Sequence, residues 1–116
     1  MSDNWHYILP ESDFPEEGKL ATRIGQWHVL VARTDTGFTA FNDRCPHQGA
    51  LLSTGKIRRG AVMCPLHGAR FDVHNGQCLG GPYPKLQMFP VRPIAGAIEV
   101  ALPDRSPGLD ETPITA

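Results

Sequence analysis

No stretch of this chain approaches the ~20 consecutive apolar residues that a membrane-spanning helix requires. The opening segment "MSDNWHYILPESD" lacks a basic region followed by a long apolar run, so it does not resemble a secretory signal. Formal net charge is only −1, which argues against a nucleic-acid binder or a disordered, self-repelling tail as the overall class. Cysteines are few and odd in number, three in all, and two of them stand beside histidines. That excludes a simple disulfide framework and fits a reducing compartment in which thiolates bind metal, so a cytoplasmic location is expected. At 116 residues there is room for one domain with a modest core.

Helical periodicity is also missing. No window keeps apolar residues at helical spacing for the ~10 or more residues a helix needs. Instead, short strand-like runs recur: Trp5 to Leu9, Lys19 to Ile24, Trp27 to Arg33, Phe38 to Phe41, Ala61 to Cys64, Arg70 to Val73, Leu86 to Pro93 and Ala97 to Leu102. Turn residues divide them at Gly25, at Asp35-Thr36-Gly37, at Asn75-Gly76 and at Ala95-Gly96. Asn75-Gly76, set between "RFDV" and "QCL", is a hairpin signal. With twelve glycines and eleven prolines, the pattern predicts an all-β fold, an antiparallel sandwich or small barrel. The tail from Pro103 has little to bury and is expected to be a loosely held extension. The expected organisation is thus one domain over residues 1–102 and an extended tail over 103–116.

The chemistry concentrates in "CPHQGA" (Cys45 to Ala50) and "CPLHGARFD" (Cys64 to Asp72). The pattern is C-x-H, sixteen residues, then C-x-x-H. A structural zinc site usually takes ligand pairs two to four residues apart, and the single residue Pro46 holds Cys45 and His47 awkwardly for chelating one tetrahedral ion. A two-iron cluster relaxes that demand, because Cys and His of one loop can bind different irons. One iron then receives both thiolates and the other both imidazoles. Gly49 and Gly68 would let backbone amides approach the inorganic sulfides, and Pro46 and Pro65 stiffen the loops. "GGPYP" (Gly80 to Pro84) suits a third loop over such a centre, although an ordinary turn has the same composition.

These two motifs, at this spacing, resemble the Rieske family, and the chain as a whole resembles the free-standing Rieske-type [2Fe–2S] ferredoxins of bacterial aromatic-ring-hydroxylating dioxygenase systems. The resemblance runs from about Trp5 to Leu102, with the ligand loops its most specific part. It implies a Rieske-like antiparallel β-sandwich with a cluster-binding part at about residues 43–84. It further implies that Cys45 and Cys64 hold the inner iron of one [2Fe–2S] cluster, and His47 and His67 the outer, solvent-near iron. High-potential members carry an additional cysteine in each loop, at places matching Ala50 and Leu66, and offer serine and tyrosine hydroxyls where this chain has Ala69 and Phe71. Lacking those hydrogen bonds to sulfur, the cluster is expected toward the lower end of the family's span of about −150 to +300 mV.

The implied function is that of a low-potential electron carrier, not an enzyme, passing single electrons from an NAD(P)H-dependent ferredoxin reductase to a terminal oxygenase. A monomer is expected, with Pro46, Gln48, Leu66, Pro82 and Tyr83 around the electron exit. The alternative is a small Rieske-like subunit of a nitrite reductase. Cys78 is expected to be a packing thiol, His6, His28 and His74 to be structural or surface residues, and Trp5 and Trp27 to be core aromatics. Asp72 could bond a ligand-loop backbone group or face solvent. From Arg44 through Phe71 there are five basic residues and no acidic one. They either make separate solvated faces or form one patch that draws an acidic partner.

Overall fold

A computed structural model describes residues 4–46, 49–65 and 68–114. The described residues form eleven strands in three antiparallel sheets. The first sheet joins β1 (Trp5–Pro10), β11 (Ala97–Ala101) and β10 (Val91–Ile94), in that order. The second has the order β2 (Lys19–Ile24), β3 (Trp27–Thr34), β4 (Gly37–Asn42), β9 (Met88–Phe89). The third joins β5 (Ile57–Arg58), β6 (Ala61–Met63), β7 (Arg70–Asp72) and β8 (Cys78–Leu79).

The second sheet is the partition of the molecule. Because side chains alternate along a strand, β3 sends Val29 and Val31 to one side and Leu30 and Ala32 to the other. All four are fully buried, so both faces of this strand are covered. Val29 and Val31 join Trp27, Phe89, Ile98 and Val100 in a core against the first sheet. Leu30, Ala32 and Phe41 join Leu52, Val62, Phe71, Val73 and both Cys45 and Cys64 in a second core, under the third sheet. An antiparallel strand that faces water on one side would alternate apolar and polar residues, and "WHVLVA" does not.

The expected strands form with small shifts at their ends, and the Asn75-Gly76 hairpin closes with Arg70 opposite Leu79 and Phe71 opposite Cys78. One expected strand is two. The run Leu86 to Pro93 divides at Pro90: Phe89 pairs with Ala40 in the second sheet, whereas Val91 pairs with Val100 in the first. Pro90 has no N–H to offer a ladder, and its carbonyl accepts from the Ala101 amide at 2.9 Å as the chain changes sheets.

The expectation of a loosely held tail is corrected. Trp27 Nε1 donates to the Arg105 carbonyl at 2.9 Å, Asn42 Nδ2 to the Glu111 carbonyl at 2.8 Å and Arg44 Nε to the Thr112 carbonyl at 3.2 Å. Arg105 and Glu111 pair within the segment at 2.6 and 2.8 Å, and Pro113 is buried. The segment lies along the end of β4 as a strap.

Candidate metal centre

β6 runs straight into Cys64 and β4 reaches Cys45 after Asp43 and Arg44, and the two cysteine loops share one hydrogen-bond template. The Cys45 amide donates to the Ala50 carbonyl at 2.8 Å, and the Gly49 amide returns to the Cys45 carbonyl at 2.7 Å. In the second loop the Cys64 amide donates to the Ala69 carbonyl at 2.7 Å, and the Gly68 amide returns to the Cys64 carbonyl at 3.0 Å. Gly49 and Gly68 have φ of 77° and 73°, the left-handed region that disfavours a Cβ, which explains why glycine closes both loops. Cys45 and Cys64 are therefore equivalent positions on equivalent loops. Both are fully buried in one apolar core with Phe41, Leu52 and Phe71, and neither is in a disulfide.

The loops differ in what covers them. A Cβ placed on Gly49 would stand 3.1 Å from Ile114 Cδ1 and 3.3 Å from Arg44 Nη2, whereas one on Gly68 would meet nothing within 4 Å. The strap accounts for the difference: the Ile114 amide donates to the Gly49 carbonyl at 2.8 Å. Gln87 Nε2 holds the Glu111 carboxylate at 2.8 Å, and Asn42 Nδ2 binds Gln87 Oε1 at 3.0 Å, so the strap, the end of β4 and the approach to β9 share one polar network. Among the described residues, Gly49 of loop one is buried under the strap and Gly68 of loop two is exposed.

A second set of contacts fixes the loops to the partition sheet. Asp43, almost fully buried, accepts from the Ser53 amide at 2.7 Å. The Lys19 ammonium on β2 donates to the carbonyls of Ser53 and Gly55 at 2.7 and 2.6 Å. Charge-assisted bonds of this kind are stronger than neutral ones. Asp43 and Lys19 were not singled out by sequence reasoning, since an isolated Asp and Lys carry no motif; what assembles them is the return of the chain after loop one.

His47 and His67, with Gln48 and Leu66, lie outside the described residues. Among the described residues no group of three or more His, Cys, Asp or Glu side chains is assembled to hold a metal. What is described fits a two-iron centre. Two buried thiols stand at matched places on matched loops, each loop also carrying one histidine in its sequence, as a cluster drawing one Cys and one His from each loop requires. Tyr83, in the expected third loop, packs against the same thiol-bearing core, as do Ala50, Ala69 and Cys78.

The remaining candidates fall elsewhere. Cys78 is partly buried on β8, paired with Phe71. His74 is exposed, and its ring reaches Asp72 at 2.9 Å and Asp35 at 3.4 Å. Hydrogen bonds from its ring, first to Asp72 and then to Asp35, raise its pKa above 6.5, and the Asp72 carboxyl is correspondingly held below its ordinary value by the amide and then the ring of His74. Asp72 thus serves the turn, and among the described residues its side chain bonds His74 and no residue of a ligand loop. Trp27 is a core aromatic at 4 % exposure, whereas Trp5 is only half-buried, with the Arg92 guanidinium 4.0 Å over its ring. Among the described residues no helix is long and apolar enough to cross a membrane.

Residues 4–90 match the family model described as Rieske [2Fe-2S] domain. The ferredoxin subunit of 3-phenylpropionate/cinnamic acid dioxygenase from Escherichia coli strain K12 is 38 % identical over 105 residues, covering 87 % of this chain and 96 % of the relative. A solved complex of reduced oxygenase and oxidized ferredoxin in carbazole 1,9a-dioxygenase contains a similar chain. It has a TM-score of 0.77 and 29 % identity, with 86 % of this chain and 94 % of that one covered. A putative NADH-dependent nitrite reductase small subunit from Mycobacterium tuberculosis shares the fold with a TM-score of 0.76 at 23 % identity, covering 90 % of this chain and all of that one (100 %).

Proposed function

Because this chain belongs to the Rieske [2Fe–2S] domain family, we propose that it is the ferredoxin of an aromatic-ring-hydroxylating dioxygenase system. It carries one Rieske-type [2Fe–2S] cluster and works as an electron-transfer component, not as a catalytic oxygenase. When bound, the cluster supplies reversible one-electron redox chemistry. The single observation that carries this reading is the pair of equivalent loops, each delivering one fully buried cysteine to the same apolar core.

In this reading Cys45 and Cys64 hold the inner iron, and His47 and His67 the outer one. Apolar walls from Phe41, Leu52, Val62 and Phe71 keep water from the thiolate side. Ala69 and Phe71 offer no hydroxyl, which supports a potential in the lower part of the family's range. The donor is an NAD(P)H-dependent reductase and the acceptor a terminal oxygenase. The carbazole complex, an oxygenase with a ferredoxin of this fold, supports the acceptor. Residues 1–102 act as one domain, with its cluster-binding part at 43–84 and the strap appended; the carrier works as a cytoplasmic monomer. The nitrite reductase alternative rests on a likeness of fold at lower identity than the dioxygenase ferredoxins reach.

The test uses natively purified protein. Iron and acid-labile sulfide in equal amounts, an EPR signal on reduction, and reduction by NADH through a ferredoxin reductase with no turnover of organic substrate by the chain alone are expected. One zinc with no sulfide would sink the reading.

A further inference from the structure

Four of the five basic residues between Arg44 and Phe71 converge in space. Lys56, Arg58, Arg59 and Arg70 line one groove of about 810 Å³ on the third sheet, and no acidic residue among the described ones lines it with them. Its apolar part includes Met63 and Leu79, at 41 % and 39 % exposure, and it reaches Pro65, the residue after Cys64. It therefore borders loop two, the loop the strap leaves open.

Among the described residues, the side-chain cations of the groove are unspent. Of the seven Lys and Arg outside it, six hold a carbonyl or carboxylate: Lys19, Arg23, Arg33, Arg44, Arg92 and Arg105. None of the four in the groove has a hydrogen-bonded or ion-paired partner among the described residues. Arg59 is also placed at a conformational cost. It occupies the two-residue turn between β5 and β6 with φ of 52°, next to Gly60 at 77°, where Asn or Gly is favoured. A neutral turn residue would be easier to fold, so the charge is kept against local preference.

From this convergence we infer that the groove is the docking site for an acidic surface segment of a protein redox partner, with apolar side chains of that segment seated on Met63 and Leu79. The inference rests on the carrier reading above and adds the partner's chemistry and its side of approach. A nucleic acid fits less well, because no aromatic residue among the described residues lines the groove for base stacking and the chain's net charge is −1. Unpaired cations beside the open loop would steer an acidic protein to the edge of the cluster, an effect worth about 10- to 1,000-fold in association rate at low salt.

Two measurements on cluster-loaded protein test it, with Arg58→Glu/Arg59→Glu as the variant, Arg59→Asn as a milder one that suits the turn, and Arg23→Glu as the charge control. In the first, a fluorescein-labelled peptide of alternating Glu and Leu is titrated in, beside its Gln-for-Glu twin and a short single-stranded oligodeoxynucleotide. The acidic peptide should bind, weaken by about tenfold or more in the double variant and less in Arg59→Asn, and be unchanged in Arg23→Glu. It should also weaken as the screening length shrinks from about 30 Å at 0.01 M salt to about 8 Å at 0.15 M. Equal binding by wild type and the double variant overturns the inference, as does tighter binding of the oligonucleotide than of the peptide. In the second, reduction by NADH through a ferredoxin reductase is followed by stopped flow. A slower second-order rate at low salt with an unchanged saturating rate supports the groove. Identical kinetics in protein that is still reduced overturn the groove and leave the carrier reading standing. Failure of the wild type to be reduced overturns the carrier reading, and the peptide titration then decides the groove by itself.

Discussion

The amide of Ile114 donates to the carbonyl of Gly49 at 2.8 Å, which ties the carboxy-terminal segment directly to the loop that carries Cys45. The equivalent glycine of the other loop, Gly68, has no such neighbour among the described residues. The same substitution in the two loops should therefore have unequal effects. Gly49→Ala and Gly68→Ala both place a Cβ in the left-handed region, at roughly 1–2 kcal/mol each. Gly49→Ala must in addition push Ile114 and Arg44 aside, at 3.1 and 3.3 Å. It should lower the melting temperature of the loaded protein further than Gly68→Ala, and removal of residues 114–116 should narrow the gap. Cluster loss to a chelator, followed as bleaching of the visible absorbance, should rank the variants in the same order.

The strap should also respond to acid. The Arg105 guanidinium, then the Gly108 amide and Gln87, hold the Glu111 carboxyl down from 4.5 to about 2. Because the folded value lies below the unfolded one, this contribution is present above about 4.5 and drains away as pH falls toward about 2. Glu111→Gln should therefore melt below wild type at neutral pH, and the difference should shrink on acidification through that window. A gap that does not change with pH would show that the carboxylate is not what holds the strap.

His74 gives the opposite sign. Its pKa is raised above 6.5, chiefly by Asp72 and then by Asp35. The stabilisation is complete below 6.5 and vanishes as pH rises through the folded value. An NMR titration of the His74 ring should give a midpoint above 6.5, and Asp72→Asn should move it down further than Asp35→Asn does. Equal displacements, or a larger one from Asp35→Asn, would overturn the assigned ranking of the two carboxylates.

The potential should be adjustable from beneath the thiols. Phe71 is fully buried in the same core as Cys45 and Cys64, and Ala69 packs against that core. Hydroxyls introduced by Ala69→Ser and Phe71→Tyr would donate toward cluster sulfur and favour the reduced form. Protein-film voltammetry should record a higher midpoint, moving up within the span of about −150 to +300 mV. No increase in protein that retains its cluster would refute the hydrogen-bond account.

Much of the scaffold could be read from the chain, because strands such as Lys19–Ile24 are bounded by turn residues and carry strand-forming side chains. The cysteine loops were equally plain, through residue type and spacing. The strap was not, and the reason is physical. Trp27, Asn42 and Arg44 bind backbone carbonyls of Arg105, Glu111 and Thr112, groups that every residue possesses, so composition gives no hint of them. β5 is two residues long and leaves no periodicity to detect. The shared template of the two loops was hidden as well, since their histidines stand at different offsets from their cysteines while the backbone bonds stand at the same ones. Convergence of the four cations depends on the β5–β6 turn and on β7 lying beside β6, a matter of register that charge counting cannot reach.

The strap has a practical consequence for anyone handling the protein. β1, at the amino end, pairs with β11 on the far side of the partition sheet from the thiols, whereas Ile114 rests on Gly49. A fluorophore attached at Ile114 would sit beside Gly49 and the Cys45 loop, and its effect could be mistaken for a change in partner recognition. Attached at the exposed Tyr7 of β1, the same label would report from the far side of the partition sheet.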